Sequence, residues 1–398
     1  MADAFAPFSF VHSNRRVVFG WDALDRLPEL ARECGAKRPA AVLDGYFART
    51  DVGARVAALL KEGTGAEAPL HATPAGEPDT ASVEACAAAL AAARPDFIVA
   101  LGGGSALDTA KVARMLLSNP GPAEAIAGFG RRLAPHASVI VAVPTTHGTG
   151  SEVSESAVIG KDGLDAKLIY RSPEMTPQIA LLDPALTVGA PATVTAYAGY
   201  DAVTHAVEAY VSRMASPMTD PYALSAMALL GRWLAVAYEE PDDRDARGAC
   251  LIASLQAAIA FNSANLGLAH AISGPLGAQQ HVAHGLGNAL ALPYVTAFNE
   301  PVLGPKGEVV ARLFDGRTAA EAMAKLRRRL ELDLSLDDYV KTDADRERLA
   351  EWAMKSGQVK MNPRAATLDD MRAILAAMRT PTGDAAPQVR TARASAGS

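Results

Sequence analysis

The strongest constraint on the fold of this chain is a strand of apolar character, Asp96 to Leu101, that runs directly into Gly102, Gly103 and Gly104. A continuous apolar strand is typical of a parallel sheet that is buried on both faces. A helix is predicted to open at Ser105, so the turn would present backbone amides and the positive end of a helix dipole. That arrangement suits a pyrophosphate. The pattern is neither GxGxxG nor GxxxxGK(S/T), however, and tight packing alone would also explain the glycines.

The first half of the chain repeats this alternation of strands and helices. Further strands are predicted at Ala40 to Leu43 and at Ser138 to Val143. One helix is predicted from Asp51, as its cap, to about Lys61, with its end at Gly63, and another from about Thr80 to Ala93. This order predicts an α/β domain with a mostly parallel sheet.

Polar residues follow two of these strands, at the edge where open α/β sheets bind ligands. Pro144 to Ser151 is a polar, glycine-rich loop that follows the strand ending at Val143. Asp44 follows the earlier strand, where it could accept hydrogen bonds from ribose hydroxyls and repel a 2′-phosphate, which would favour NAD over NADP. An aspartate that only begins a turn before Gly45 explains the same residue equally well.

The character of the sequence changes from about Thr193 onward, where long Ala/Leu-rich segments at helical period replace the strand-like runs. We therefore predict a Rossmann-like dinucleotide-binding α/β domain over residues 1–187 and an all-helical domain over residues 188–379. Residues 380–398 are rich in Thr, Pro, Ala, Ser and Gly and are predicted to form a disordered tail. A chain of 398 residues accommodates two domains of this size.

Composition argues against several classes of protein. The formal net charge is -6, from 38 Lys+Arg and 44 Asp+Glu, and no basic run suggests binding to nucleic acid. The apolar runs are far shorter than the roughly 20 residues of a membrane-spanning helix. In the first twenty residues the basic pair follows the apolar stretch, so no secretory signal is expected. Cys34, Cys86 and Cys250 lack CxxC spacing, and we expect buried thiols in a reducing cytoplasm.

Potential metal ligands are concentrated in the second half of the chain. Asp201 and His205 stand four apart in GYDAVTHAVEAY, so both would project from one helix face, with Glu208 one turn further along. With His270 and His284 they would offer one carboxylate and three imidazoles, which suit Fe²⁺ or Zn²⁺. By spacing alone, the Asp-x3-His pair also fits an ordinary surface contact. Glu208 fits either an orienting partner of a ligand or an interhelical contact.

The segment between the two later histidines, AHAISGPLGAQQHVAHG, contains a further histidine, His281. It also contains Pro275 and Gly277, which predict that the segment forms a helix, a loop and a second helix.

The chain resembles the iron-containing, or group III, alcohol dehydrogenase family over nearly its whole length. The motifs that carry the resemblance occur in the family's order and approximate spacing. They are GGGSALDTAK (102–111), PTTHGTGSE (144–152), ALLDP (180–184), GYDAVTHAVE (199–208), AHAISGPLGA (269–278) and AHGLGNALALP (283–293).

The resemblance implies an N-terminal dinucleotide-binding domain, a helical C-terminal domain and an active site in the cleft between them. It also implies a homodimer formed through the first domain, where an early strand such as Arg16 to Phe19 could pair across subunits. Implied ligands of Fe²⁺, with Zn²⁺ as the alternative, are Asp201, His205, His270 and His284. Implied contacts to the cofactor, with NAD(H) favoured over NADP(H), are Asp44, Gly102, Gly103, Gly104, Ser105, Asp108, Thr145, Thr146, Thr149 and Lys167.

Two positions depart from the family pattern. Gly274 stands where a histidine normally lies near the nicotinamide, and His147 replaces a small alanine in the PTTAGTGSE motif. One hypothesis is that His147 partly takes over the vacated role, as a proton donor or a substrate contact; the alternative is drift at a tolerant pocket wall. The candidate catalytic residues are therefore His147 and His281, with metal-ordered water as a third route for the proton.

These features predict a cytoplasmic, metal-dependent, NAD(P)H-linked alcohol dehydrogenase or aldehyde reductase that acts on small molecules. The expected substrates are short aldehydes, and Gly274, His147 and His281 hint at a polar or anionic tail, for example phosphonoacetaldehyde reduced to 2-hydroxyethylphosphonate. One rival is a glycerol-dehydrogenase-like or dehydroquinate-synthase-like enzyme of the same wider fold. The dehydroquinate-synthase-like enzyme would be a lyase acting on a phosphorylated sugar acid, and it would need clustered Lys and Arg around that substrate. The helical motifs of this chain contain few of either residue. The other rival is a non-catalytic metal or nucleotide sensor.

Overall fold

The computed structural model describes residues 9–10, 14, 16–128, 130–161, 167–332, 334–379 and 387–389. Contacts between residues divide the chain into two compact units. We call His12–Gly189 the sheet unit, and Ala190–Ser398 together with Met1–Val11 the helical unit.

Six strands of the sheet unit form one parallel sheet, in the order β1-β8-β5-β4-β2-β3, and two more form a separate antiparallel pair. The prediction of an α/β domain with a mostly parallel sheet is confirmed. The strands are β1 (Arg16–Phe19), β2 (Pro39–Asp44), β3 (Leu70–Thr73), β4 (Phe97–Gly102), β5 (Val139–Pro144), β6 (Ser156–Gly160), β7 (Lys167–Arg171) and β8 (Ile179–Leu182).

The α-helices of the sheet unit are α1 (Leu27–Glu33), α2 (Asp51–Thr64), α3 (Thr80–Ala93) and α4 (Gly104–Leu116). They cover both faces of the parallel sheet because successive strand residues point to opposite sides. In β4, Ile98 and Ala100 join a buried apolar cluster with residues of α3 and α4, whereas Val99 and Leu101 join a second cluster with residues of α1 and α2. The central strand is therefore buried on both faces.

The ends of α2 differ from the prediction. Asp51 is its first residue, and Thr50, not Asp51, occupies the cap position. The helix continues through Gly63 to Thr64, and Gly65 caps it in the left-handed conformation with φ of 74°. Gly65 is the better stop because a left-handed residue after the last turn is the conformation that glycine adopts without cost.

The helical unit contains no strand among its described residues, as predicted. Its α-helices pack around one large apolar core, against which Val389 also packs. Apart from residues 387–389, the predicted tail lies outside the described residues. The helices are α5 (Ala192–Val211), α6 (Asp220–Glu239), α7 (Arg244–Ala264), α8 (Leu268–Gln280), α9 (His284–Leu303), α10 (Pro305–Leu313), α11 (Ala319–Arg329), α12 (Asp343–Lys355) and α13 (Leu368–Ala377).

The predicted order of helix, loop and helix is observed, but the predicted position of the loop at Pro275 and Gly277 is wrong. The helix continues through Pro275 and Gly277, and the chain turns only at His281, which has φ of 54°. Ile272 and Leu276 are buried in the apolar core. Their packing offsets the hydrogen bond that Pro275 cannot donate.

The cysteines are only partly as expected. Cys86 and Cys250 are buried thiols, and burial raises the pKa of each to about 12. Cys34 is exposed instead, because it caps the short helix α1 where the chain turns at the surface.

Among the described residues no single helix has the length and apolar character needed to cross a membrane, and α7 with α8 would pass only as a pair bent by 103°.

Candidate functional site

The carboxyl ends of β2 and β4 mark the point where the strand order reverses. β2 leads to β3 on one side, and β4 leads to β5 on the other. Open α/β sheets bind ligands in the crevice at such a point. Asp44 ends β2 and Gly102 ends β4, and a Cβ atom placed on Gly102 would lie 2.8 Å from the Asp44 Cβ. Glycine is needed here for space and also for its φ of 152°.

The glycine turn packs against the threonine-rich loop that follows β5. The Thr145 N–H donates to the Gly102 carbonyl at 3.0 Å. A Cβ atom on Gly104 would lie 2.7 Å from the Thr149 Cγ2, and one on Gly103 would lie 3.7 Å from the Thr146 Cγ2. The residues at the start of α4 are partly exposed. The turn can therefore present backbone N–H groups to an anion, as the positive end of a helix does.

Asp108 is partly exposed, and its carboxylate also contacts protein groups. It accepts hydrogen bonds from the Ser151 Oγ at 2.5 Å and from the Val158 N–H at 2.8 Å. Nearby, the fully buried Lys111 donates to the Ser151 carbonyl at 3.1 Å and to the Ser154 Oγ at 3.0 Å. Burial lowers the pKa of Lys111, against the opposing charge of Asp108. Together they fix the loop after β5, a role for Lys111 that sequence reasoning missed although it lies in the first motif.

Two other predicted cofactor residues make identifiable contacts. The Asp44 Oδ1 accepts the Tyr46 N–H at 2.9 Å, so Asp44 does begin a turn. Its partly exposed carboxylate still lies at the carboxyl edge of the sheet. Lys167, at the start of β7, pairs with Glu77 at 2.7 Å. Ser105, in the first turn of α4, is partly exposed.

In the helical unit, four predicted metal ligands lie together. Asp201 and His205 share one face of α5, His270 lies in α8, and His284 begins α9. The Asp201 Oδ1 lies 3.7, 3.6 and 3.7 Å from the Nε2 atoms of the three histidines in chain order. Potential ligand atoms of Asp201, His270 and His284 all lie within 4.8 Å of one another. One carboxylate and three imidazoles are the donor set that Fe²⁺ or Zn²⁺ accepts.

Glu208 makes an interhelical contact from α5 to the start of α8, and this contact includes the ring of His270, one of the proposed ligands. Its carboxylate accepts the His270 Nδ1–H at 2.7 Å and the backbone N–H groups of Gly267 and Ala269 at 2.9 and 2.7 Å. It thereby caps α8 and fixes the ring of His270 so that the Nε2 faces Asp201. Such partners set the tautomer of a ligating histidine.

Charge at the cluster favours an ionised carboxylate. Burial opposes ionisation of Asp201, but the imidazoles, that of His205 first, outweigh burial and hold the pKa of the carboxyl well below its usual range. A buried anion surrounded by imidazole nitrogens is suited to a cation.

Sequence reasoning missed one residue at this cluster. Asn288, in α9, donates its side-chain amide to the Asp201 Oδ1 at 2.7 Å. Its position four residues after His284 places both on one helix face, a signal that the spacing already contained.

The two candidate catalytic histidines, His147 and His281, differ in burial, and the space around Gly274 is open. His147 is buried, with 2% of its surface exposed, in the loop after β5. His281 is exposed at the end of α8. A Cβ atom on Gly274 would have no other atom within 4 Å, apart from its chain neighbours and its own helix backbone. The position therefore has open space beside it.

Comparison with known proteins agrees with this architecture. Residues 14–184 match the iron-containing alcohol dehydrogenase family, and residues 195–379 match the C-terminal part of the Fe-containing alcohol dehydrogenase family. The chain belongs to the iron-containing alcohol dehydrogenase family. Membership makes it an alcohol/aldehyde oxidoreductase and implies a divalent metal and NAD(H).

Three similar proteins illustrate the relationship. A probable alcohol dehydrogenase, EutG, of Escherichia coli is 38% identical over 309 residues, which are 76% of this chain and 78% of that protein. A sulfoacetaldehyde reductase of Bilophila wadsworthia is 32% identical over 392 residues, 93% of this chain and 99% of that protein. The crystal structure of sulfoacetaldehyde reductase from Bifidobacterium kashiwanohense in complex with NAD+ superposes with a TM-score of 0.88 at 25% identity, covering 94% of this chain and 99% of that one.

Proposed function

We propose that this protein is a metal-dependent, NAD(P)H-linked reductase of short aldehydes, with Asp201, His205, His270 and His284 as the metal ligands. The observation that carries the proposal is the gathering of one buried carboxylate and three imidazoles, with Glu208 fixing His270 through a hydrogen bond of 2.7 Å. Fe²⁺ is the proposed ion, and Zn²⁺ has the same ligand preferences.

When bound, the divalent cation supplies a Lewis acid for a carbonyl oxygen, and NADH supplies hydride. The chain's own residues position and tune these groups. Asp201 contributes the negative charge that offsets the cation, and Glu208 keeps the His270 Nε2 lone pair directed at it. The partly exposed turn from Gly102 to Ser105 would hold the pyrophosphate with backbone N–H groups.

Asp44 supports a preference for NADH over NADPH. Its carboxylate lies at the reversal point of the sheet, where it can accept the ribose hydroxyls and would repel a 2′-phosphate. The rate with each cofactor tests this: we expect kcat/KM to be higher for NADH, and Asp44→Gly to reduce that difference. A higher kcat/KM for NADPH in the unmodified protein would contradict the assignment.

The proposed substrates are short aldehydes with a polar or anionic tail, of which phosphonoacetaldehyde, reduced to 2-hydroxyethylphosphonate, is one. Three observations support this class: the relatives named sulfoacetaldehyde reductase, the open space beside Gly274 and the exposed imidazole of His281. An imidazole can donate a hydrogen bond to a sulfonate or phosphonate oxygen.

The decisive experiment is a substrate panel with protein loaded with Fe²⁺ in the absence of air. NADH oxidation would be followed with acetaldehyde, propionaldehyde, sulfoacetaldehyde and phosphonoacetaldehyde. We expect turnover with all four and a kcat/KM at least tenfold higher for an anionic aldehyde. Equal kcat/KM values for the neutral and anionic aldehydes would contradict a specificity for anionic substrates. If the protein binds metal and NADH but turns over none of the aldehydes, a sensor would be favoured. Reduction of NAD⁺ with glycerol by a protein that reduces none of the aldehydes would favour the glycerol-dehydrogenase-like rival.

His147 and His281 are the proposed sources of the product's proton. His147→Ala and His281→Ala should each be compared with the unmodified enzyme over a range of pH. A role in proton transfer predicts a fall in kcat of roughly 10²-fold or more, which is the usual contribution of a general acid. Unchanged kcat and KM in His147→Ala would show that the histidine is an incidental replacement.

A further inference from the structure

Asn288 lies within contact of the proposed metal ligands and is completely buried in α9. Its Nδ2 is 2.7 Å from the Asp201 Oδ1, 3.1 Å from the His270 Nε2 and 3.4 Å from the His284 Nε2. One side-chain NH₂ group therefore touches three of the four atoms that would hold the ion.

Chemistry fixes which end of this amide faces the cluster. With the Oδ1 inward, an amide oxygen would lie against the ionised carboxylate of Asp201, and two acceptors would repel each other. With the Nδ2 inward, an N–H donates to the carboxylate oxygen of Asp201 at 2.7 Å.

The other end of the amide supports the same conclusion. Among the described residues, the buried Oδ1 of Asn288 has no hydrogen-bond partner. A buried acceptor without a partner is costly, so packing alone does not explain an asparagine here. The contacts of the Nδ2 are what offset that cost.

We propose that Asn288 is a positioning residue for the metal, an inference that rests on the proposed metal-dependent function. Its amide donates to the Asp201 Oδ1 and lies against the Nε2 atoms of His270 and His284, which keeps these three atoms turned towards one point before the ion arrives. It continues to donate to Asp201 after the ion has bound. The residue is not itself a ligand; it acts through the carboxylate and the two rings.

Two substitutions test this role. Asn288→Leu keeps the branched shape and removes the donor but adds some bulk, and Asn288→Ala removes the donor without adding bulk in case the leucine variant does not fold. Each apoprotein is titrated with Zn²⁺ in competition with a chromogenic chelator. We expect Zn²⁺ to bind roughly 10- to 100-fold more weakly than to the unmodified protein, as when other hydrogen-bond partners of metal ligands are removed.

Asn299 provides a matched control on the same helix. It is buried and exchanges hydrogen bonds with Asn362 at 3.0 and 2.7 Å. Asn299→Ala should lower the thermal midpoint but leave the Zn²⁺ dissociation constant within twofold of the original. A second readout is the visible absorption of Co²⁺-loaded protein at saturation, which should shift in the Asn288 variants and not in the control.

The outcomes separate this inference from the proposed function. If the unmodified protein binds no divalent metal, the proposed function fails. If it binds Zn²⁺ and folded Asn288 variants bind equally well or more tightly with an unchanged Co²⁺ spectrum, only the role of Asn288 is overturned.

Discussion

Glu208 links the start of α8 to the orientation of His270 through one carboxylate. In Glu208→Gln, an amide N–H would replace an oxygen that now accepts a hydrogen bond, so His270 would lose its fixed orientation. We expect Zn²⁺ affinity, measured by chelator competition, to fall roughly 10- to 100-fold.

Glu300 is a suitable control because its carboxylate accepts the N–H groups of Ala319 and Ala320 at the start of α11. Glu300→Gln should lose stability and keep its affinity for Zn²⁺. Equal affinities in the two glutamine variants would reduce Glu208 to a helix cap.

A second prediction concerns Glu152, whose carboxyl is buried in the sheet unit. Burial raises its pKa from 4.5 to about 7, although Lys111 partly opposes this. The folded protein then holds the proton more tightly than the unfolded chain. The contribution of this protonated carboxyl to the free energy of unfolding is fully present below pH 4.5 and is lost as the pH rises through 7. Relative to Glu152→Gln, the unmodified protein should lose about 3 kcal/mol between these limits. Urea unfolding at several pH values measures this, and a difference that does not vary with pH would refute it.

Single residues differ in how far their roles could be predicted from the sequence. The family motifs drew attention to Asp201, His205, His270 and His284, and the structure brings them together; their binding of a metal stays a prediction. Lys111 and Asn288 were missed, because a lysine or an asparagine inside an apolar helical pattern looks like any other polar residue. Their importance depends on contacts with residues distant in the sequence: Ser151 lies 40 positions from Lys111, and Asp201 lies 87 positions from Asn288.

At the scale of elements, the junction of β4 and α4 depends on the absence of a side chain at Gly104. A Cβ atom there would lie 2.7 Å from the Thr149 Cγ2, so Gly104→Ala must displace the loop after β5. We expect weaker NADH binding, measured by fluorescence titration, and a lower thermal midpoint. Thr149→Ser removes the Cγ2 atom, so the double variant should recover part of both losses. A double variant no better than Gly104→Ala would mean that the loop is not what the new methyl group displaces.

The helices and strands were predicted best where a local sequence signal, such as an apolar run or a helix cap, determines the structure. The bounds of α3 and the presence of β2, β4 and β5 follow from apolar runs and caps. The end of α8 was predicted wrongly because Pro275 and Gly277 break isolated helices, whereas the burial of Ile272 and Leu276 stabilises this helix. The antiparallel pair of β6 and β7 was missed, because short strands of mixed burial carry little periodic signal.

At the scale of the whole molecule, both fold classes could be predicted, since the change from strand-like runs to helical period is a property of long segments. Assembly depends on surfaces and is harder to predict from such patterns. β1 forms one edge of the parallel sheet, where it pairs with β8. Its Val17 and Phe19 are 42% and 45% exposed, while Val18 between them is buried. An apolar edge strand exposes unpaired N–H and C=O groups that invite another strand.

We therefore expect a homodimer in which β1 of one subunit pairs with β1 of the other. Val17→Lys would place a charge in that contact and should convert the dimer into a monomer, as measured by light scattering during gel filtration. Leu70→Lys, in β3 at the opposite edge, is the control: Leu70 is 41% exposed, and its replacement should leave the mass unchanged. Because the proposed metal ligands belong to the other unit, the Val17→Lys monomer should bind Zn²⁺ with unchanged affinity. A monomeric unmodified protein, or a Val17→Lys variant that stays dimeric, would exclude β1 as the interface.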